Sequence, residues 1–247
     1  MLRRLLLDAL VNDDRSDRPA DPDALVSDAA RSATEWIGVG ADYREKALRE
    51  LLVLADALRP SPGHALSLPD KVSAVHQKLS ERGISHAVGG ALAVGYYGEP
   101  RSTVDIDVNV FLPADRWSDL RNPLAALDIA LQVEERDPRR TDEVRLEWGS
   151  SFLHLFFSCD SLHEQMRRDI RCVPFNDGTI PIVAPEHLVV RKAMLDRTKD
   201  WLDIEQILVA TSPLDLEEIE MWLGRLAGEG DPRMTKLAEV RDALSLV

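Results

Sequence analysis

Apolar residues return every three or four positions in the first part of the chain, then every second position in the middle, then every three or four again. The stretch DYREKALRELLVLADALR (42–59) sets Leu48, Leu51, Leu52, Leu54 and Leu58 on one side of a helical period and predicts an amphipathic helix. Ahead of it, DPDALVSDAARSATEWI (21–37) opens on a capping Asp and carries the same period. RPSPGHALSLP punctuates the pattern with Pro and Gly and reads as a linker, with Pro69 near the start of the next helix. KVSAVHQKLSERG follows as an amphipathic helix closed by Gly83.

Here the period shortens. ISHAV predicts a short strand running into Gly89-Gly90, ALAVGYYG a helix, and VDIDVNVFLP a second strand. A helix is expected over Ala114 to Leu131, and EVRLEWGSSFLHLFFS reads as two strands joined at Gly149. After PFNDGTIPIVAP the helical period resumes in PEHLVVRKAMLDR, DWLDIEQILVA, PLDLEEIEMWLGRLA and PRMTKLAEVRDAL. Mixed strands followed by helices predict an α+β fold. The expected organisation is a helical N-terminal extension over 1–68, a mixed-sheet core over 69–184, and a helical C-terminal half over 185–247 that completes a cleft.

One strand carries the candidate chemistry. In VDIDVNVFLP, Val104, Ile106, Val108 and Val110 share one face, so Asp105 and Asp107 project together from the other. Two carboxylates inside an apolar run are costly unless something pairs with them. A hard divalent cation such as Mg²⁺ or Mn²⁺, which prefers oxygen ligands and substrate phosphates, would fit that position. Gly89-Gly90 follows a strand and opens a helix, where free backbone N–H groups and the helix dipole favour an anion. Arg101, Ser102 and Thr103 add a cation and two hydroxyls directly before the acidic strand. Taken alone, an Asp-x-Asp pair also suits two surface carboxylates on an edge strand; the glycines and the Arg-Ser-Thr run shift the balance toward a metal carrying a nucleoside triphosphate.

Composition narrows the classes. The 247 residues can bury a sizeable core, and 45% hydrophobic with 30% charged residues is ordinary for a globular chain. No apolar run approaches the roughly 20 residues that span a bilayer, and MLRRLLLDALVNDD turns acidic too soon for a secretory signal, so no membrane partner and a cytoplasmic location are expected. Cys159 and Cys172 are then expected as free thiols. A formal charge of −13 argues against a general nucleic-acid coat while allowing a local basic groove. The basic runs RDPRRTDEVR, MRRDIR and RKAMLDRTK read as ion-paired surface. His163 and His187 fall on predicted helices without metal-ligand spacing, so no zinc site is expected. The tryptophans read as core or interface rather than base-stacking platforms, with Trp201, beside the last basic run, the exception.

Gly89-Gly90 followed by Arg101-Ser102-Thr103-Val104-Asp105-Ile106-Asp107 resembles the nucleotidyltransferase superfamily related to DNA polymerase beta. More narrowly, the chain is similar to the AbiEii-type toxin family, which includes mycobacterial nucleotidyltransferase toxins acting on tRNA. IVAPEHLVVRKAMLDRTKDWLDIEQIL resembles that family's helical segment, in which a lysine contacts the nucleotide and a later aspartate is required; Lys192 and Asp203 match those positions. The resemblance covers about Lys71 to Leu208. It implies a Mg²⁺-dependent transfer of a nucleoside monophosphate from an NTP to an acceptor hydroxyl. Asp105 and Asp107 would be metal ligands, and Gly89, Gly90, Arg101, Ser102, Thr103 and Lys192 would form the nucleotide site. Asp203 would orient Lys192 or the acceptor. It also implies the toxin half of a toxin–antitoxin or phage-defence pair, with a cognate antitoxin protein as partner and tRNA 3′ ends as acceptor. His154 stands where many superfamily members place a third carboxylate, which weakens the case for two metals and leaves a one-metal mechanism open. Glu147, on the neighbouring predicted strand, is a second candidate for that carboxylate. A small-molecule acceptor of the antibiotic type, a protein acceptor, and a catalytically inactive binding module remain the alternatives.

Overall fold

A computed structural model of the chain describes residues 41–57, 66–129 and 141–245. The helix expected over 21–37 and Arg139 and Arg140 lie outside the described residues. The chain builds helix α1 (Ala41–Ala57), α2 (Leu68–Glu81), strand β1 (His86–Val88), α3 (Gly90–Tyr97) and β2 (Asp105–Val110). A 3-10 turn (Ala114–Arg116) leads into α4 (Ser118–Ala125), followed by β3 (Glu143–Trp148), β4 (Ser151–Phe157), α5 (Ser161–Arg168), β5 (Arg171–Phe175) and β6 (Gly178–Ile182). Four helices complete it: α6 (Pro185–Leu195), α7 (Thr198–Ala210), α8 (Leu216–Ala227) and α9 (Pro232–Ser245). The α+β class expected from the sequence is the class observed. Among the described residues no helix is long and apolar enough to cross a membrane.

The six strands form one mixed sheet in the order β3-β4-β2-β1-β6-β5. The acidic strand β2 is therefore interior, parallel to β4 and antiparallel to β1. An edge-strand explanation of its carboxylates is excluded by this order. Strand alternation sorts the sheet into an apolar face and a polar face. Ile106, Val108, Leu153, Leu155, Val144 and Leu146 are buried on the first. Trp117, which ends the 3-10 turn, meets Phe157 edge-on at 6.1 Å on that side. Lys71 of α2 reaches the β3–β4 turn, where its Nζ donates to Trp148 O at 3.0 Å and Ser151 Oγ at 3.1 Å. α1 packs on α2, α3 and β5.

Two expectations fail for local reasons. The helix predicted over 114–131 is instead a 3-10 turn and the short α4, with Pro123 near its end. Proline offers no amide to the preceding turn and its ring crowds the carbonyl behind it, so the helix stops soon after. Asp128 then takes a left-handed conformation at φ 56°. The second is the β5–β6 hairpin in the stretch PFNDGTIPIVAP, which the sequence pattern assigned to no element. Its strands are short, each carries a proline, and β5 lies at the sheet edge, where a missing ladder donor is tolerated. The hairpin turn is fixed from outside: Asn176 donates its amide N–H to Glu45 and its side-chain Nδ2 to Ser73 Oγ at 2.9 Å.

Candidate functional site

The polar face of the sheet converges on β2. Asp105 pairs across the ladder with Phe152, Asp107 with His154 and Asn109 with Phe156. From the far side, Glu147, Arg145 and Glu143 stand opposite the same three β4 residues. Asp105 keeps 46% of its side-chain surface and meets Arg145 Nη2 at 3.3 Å. Asp107 keeps 23%, and His154 Nδ1 stands off at 3.7 Å from its Oδ1. Burial, followed by the neighbouring Asp105 charge, raises the Asp107 carboxyl above its ordinary value, although His154, Lys192 and Arg101 pull the other way. No hydrogen bond to the Asp107 carboxylate is found among the described residues. A shielded, under-bonded carboxylate beside a second carboxylate fits a divalent cation, which would neutralise both.

Gly90 sits directly over this carboxylate. Its φ is +56°, and a Cβ built there would lie 1.8 Å from Asp107 Oδ2. Glycine is required both by the left-handed backbone and by the close approach. Gly89 donates its N–H to Asp107 O at 2.8 Å, so that amide belongs to the strand connection and the free amides of the helix start begin at Gly90. The loop before β2 is shaped by Thr103, whose Oγ1 accepts from the Asp105 N–H at 3.1 Å. Ser102 is half-buried in the same loop.

A second charged group, built on the α6–α7 hairpin, lies close enough to act on Asp107. Lys192 keeps only 5% of its side-chain surface, and its Nζ lies 2.5 Å from Asp203 Oδ2 and 3.5 Å from Asp200 Oδ1. Arg101 binds the same Asp203 with two parallel contacts, Nε to Oδ1 at 3.2 Å and Nη2 to Oδ2 at 3.1 Å. Arg197 clasps Asp200 through Nε at 2.6 Å and Nη2 at 3.1 Å. Burial alone would raise the Asp203 carboxyl, but the Arg101 guanidinium and the Lys192 ammonium hold it below its ordinary value. Three cations thus surround two carboxylates, and Lys192 and Arg101 both act on Asp107. The group carries a surplus positive charge toward the acidic strand.

The hairpin brings Lys192 and Asp203 together and adds Arg101 from the loop before β2. A lysine this deeply buried is not the solvated helix lysine that is the ordinary reading of such a position. In the sequence Arg197, Lys199 and Asp200 accompany the Lys192–Asp203 match without an assigned role; the signal for the first and last was the three-residue step from Arg197 through Asp200 to Asp203. Glu143 is another residue the sequence did not mark. Its Oε2 lies 3.2 Å from His154 Nε2, so His154 bridges Glu143 and Asp107, while Glu147 stands opposite Phe152.

Trp201 corrects an expectation. It is buried, donates Nε1–H to Asp196 Oδ1 at 2.6 Å, and has Lys236 over its ring at 4.5 Å, so its face is occupied. The aromatic surface lies instead on β4. Arg145 stacks on Phe152 at 3.7 Å, Arg191 lies over Phe156 at 5.6 Å, and the His154 and Phe156 rings are 4.1 Å apart. Arg167 and Arg168 both pair with Glu164 on α5, as expected of an ion-paired surface. Both cysteines are free and exposed.

No family model matches the chain, and no curated protein matches it. Solved structures do. The antibiotic-resistance factor ANT(2'')-Ia in solution is 17% identical, covers 70% of this chain and 97% of its own, and has a TM-score of 0.45. Its crystal structure in complex with adenylyl-2''-tobramycin is 16% identical, covers 64% and 95%, and has a TM-score of 0.43. An antigenic nucleotidyltransferase-like protein from Paracoccidioides brasiliensis is 18% identical, covers 71% and 92%, and has a TM-score of 0.40.

Proposed function

We propose that the chain is a nucleotidyltransferase that joins a nucleoside monophosphate from an NTP to an acceptor hydroxyl. The observation that carries this reading is the approach of the Lys192–Arg101 pair, held on Asp203, to the Asp105–Asp107 pair under Gly90, since both cations act on the Asp107 carboxylate. In the reaction, an acceptor oxygen bonds the α-phosphorus while the bond to the pyrophosphate leaving group breaks. Asp105 and Asp107 would hold Mg²⁺ or Mn²⁺, which would offset negative charge on the phosphoryl group. The amides from Gly90 onward would receive phosphate oxygens at the start of α3. Lys192 and Arg101 would share their charge between Asp203 and the triphosphate, with Ser102 and Thr103 at the rim.

Within that reaction, our preferred acceptor is an RNA 3′ end, such as that of tRNA, and the preferred setting is the toxin of a toxin–antitoxin or phage-defence pair with a cognate antitoxin. The motif resemblance in Gly89-Gly90, Asp105-x-Asp107 and Lys192…Asp203 supports this. So does the row of Phe152, His154 and Phe156 flanked by Arg145 and Arg191, since bases stack on aromatic rings and guanidinium planes. A specific observation favours a second reading, a polycationic small molecule of the antibiotic type. Glu143 and Glu147 share the polar face with Asp105 and Asp107, and four carboxylates there would attract cationic groups.

The test is incubation of the purified protein with each labelled NTP, Mg²⁺ and, in separate tubes, total RNA, an aminoglycoside or lysate protein. Label on RNA 3′ ends is expected. Label on the aminoglycoside alone would replace the RNA reading with the second one, and no transfer to any acceptor would overturn the enzymatic reading.

A further inference from the structure

Away from the cleft, three separate elements bring an imidazole and two carboxylates to one point. His187 is in the first turn of α6, Asp169 caps the end of α5, and Glu218 is in the first turn of α8. One ligand atom from each lies within 4.8 Å of the others. His187 Nε2 is 3.1 Å from Glu218 Oε1 and 3.7 Å from Asp169 Oδ2. Those spacings bracket the separation of about 3.4 Å expected between neighbouring ligands around a tetrahedral ion bound at about 2.1 Å. The His187 side chain is only 1% exposed, and its Nδ1 is buried with no hydrogen-bond partner among the described residues. Nε2 is the ring nitrogen that faces the two carboxylates.

The carboxylates are themselves held in place. Gln165 Nε2 donates to Asp169 Oδ2 at 2.7 Å, and Trp222 Nε1 donates to Glu218 Oε1 at 3.3 Å. Each donor engages the oxygen that faces the imidazole, and outer-shell donors of this kind orient the ligands of a metal. Asp169 and Glu218 are part-exposed, and Glu218 also lines a groove with Asp215, Glu217 and Arg225. Acidic side chains outnumber the cation there. One nitrogen with two carboxylate oxygens suits zinc, cobalt or manganese better than magnesium or calcium, which take oxygen alone. The sequence expectation of no zinc site rested on local spacing, and these three residues are far apart along the chain.

We propose that Asp169, His187 and Glu218 form a site for a divalent transition metal of the zinc class, distinct from the β2 carboxylate pair, that fastens α5 and α8 to the start of α6. A solvent molecule would take the fourth position on the groove side. Lys192 lies on the same helix, so the site would anchor the element that carries the cleft's lysine.

The test uses the full chain carrying Asp105→Asn and Asp107→Asn, which removes the β2 carboxylates from the titration. Co²⁺ is added and followed by its visible absorption, then displaced with Zn²⁺. A single equivalent is expected to bind without a sulfur charge-transfer band, and Zn²⁺ should raise the melting temperature. His187→Gln and Glu218→Gln should each weaken Co²⁺ binding by about a hundredfold or more with the far-UV circular dichroism unchanged. The proposal falls if neither ion binds at micromolar concentration, or if binding survives both substitutions. It falls equally if a thiolate band appears, because that places the ion at the other converging group, Cys159, Asp160 and His163. Should His187→Gln fail to fold, Glu218→Gln alone decides, since its side chain is part-exposed.

Discussion

The acidic strand β2 and the neighbouring α6–α7 hairpin handle charge in opposite ways. On the α6–α7 side the two aspartates nearest the acidic strand are already partnered: Asp203 has Lys192 and Arg101, and Asp200 has Lys192 and Arg197. On the β2 side two carboxylates stand next to each other, and the inner one is raised by burial with no hydrogen bond to relieve it. A paired cluster is stable in the free protein and gives a rigid frame. A weakly paired one, with only Arg145 on Asp105 and His154 standing off from Asp107, is costly in the free protein and gains most when a cation arrives. The contrast separates residues that hold the site together from residues that wait for a ligand.

The sharpest way to break that contrast is Asp107→Asn. Transfer should fall by about a thousandfold or more, because a metal ligand is lost, while the melting temperature rises in metal-free buffer near neutral pH. The sign follows from the raised carboxyl: its charged form costs the folded state stability as pH climbs, and the amide removes that cost. A lower melting temperature would show that Asp107 is structural. Lys192→Met should also lose activity but shift stability the opposite way. Activity should drop by about a hundredfold, through loss of roughly 2.7 kcal/mol of transition-state stabilisation, and stability should also fall, by about 3 kcal/mol, because Asp200 and Asp203 lose a buried partner. An unchanged denaturation midpoint would place Lys192 outside the frame.

The smallest expected effect sharpens the same comparison. Glu205 on α7 is buried, one carboxylate oxygen has no partner among the described residues, and burial pushes its pKa up to about 7. It is the exception on the paired side. A raised carboxyl leaves stability intact below its ordinary value of 4.5 and erodes it as pH rises through about 7. Glu205→Gln should therefore match wild type at pH 4 and exceed it at pH 8.5 by on the order of 2 kcal/mol. Urea melts at the two pH values measure this, and a difference independent of pH would count against an uncompensated carboxylate.

Much of this arrangement was legible in the sequence where one chain segment suffices. The two-residue alternation in VDIDVNV put Asp105 and Asp107 on one face, and the break between two helical patterns folded Asp203 back onto Lys192. What the sequence hid depends on pairing between segments. Glu143 meets His154 only because β3 runs antiparallel to β4 in a particular register. Arg101 reaches Asp203 across a separation of 102 residues. Asp169, His187 and Glu218 meet only after three helices have docked. The β5–β6 hairpin was hidden for another reason, since its prolines and its exposed edge position remove the apolar alternation that marks a strand. Trp201 misled because nearness in sequence to a basic run says nothing about which way an indole faces.

The sharing of Asp203 between Arg101 and Lys192 has a consequence in the order of synthesis. The Lys192–Asp203 contact closes a loop of 11 residues, whereas the Arg101–Asp203 contact must wait for a segment made 102 residues later. Short closures form early and long ones late. A nascent chain that has completed β2 and β4 already carries Asp105 and Asp107, yet Arg101 has no Asp203 to bind until α7 has been made. Completion of the Arg101–Asp203–Lys192 cluster therefore waits for α7, however early β2 and β4 have paired.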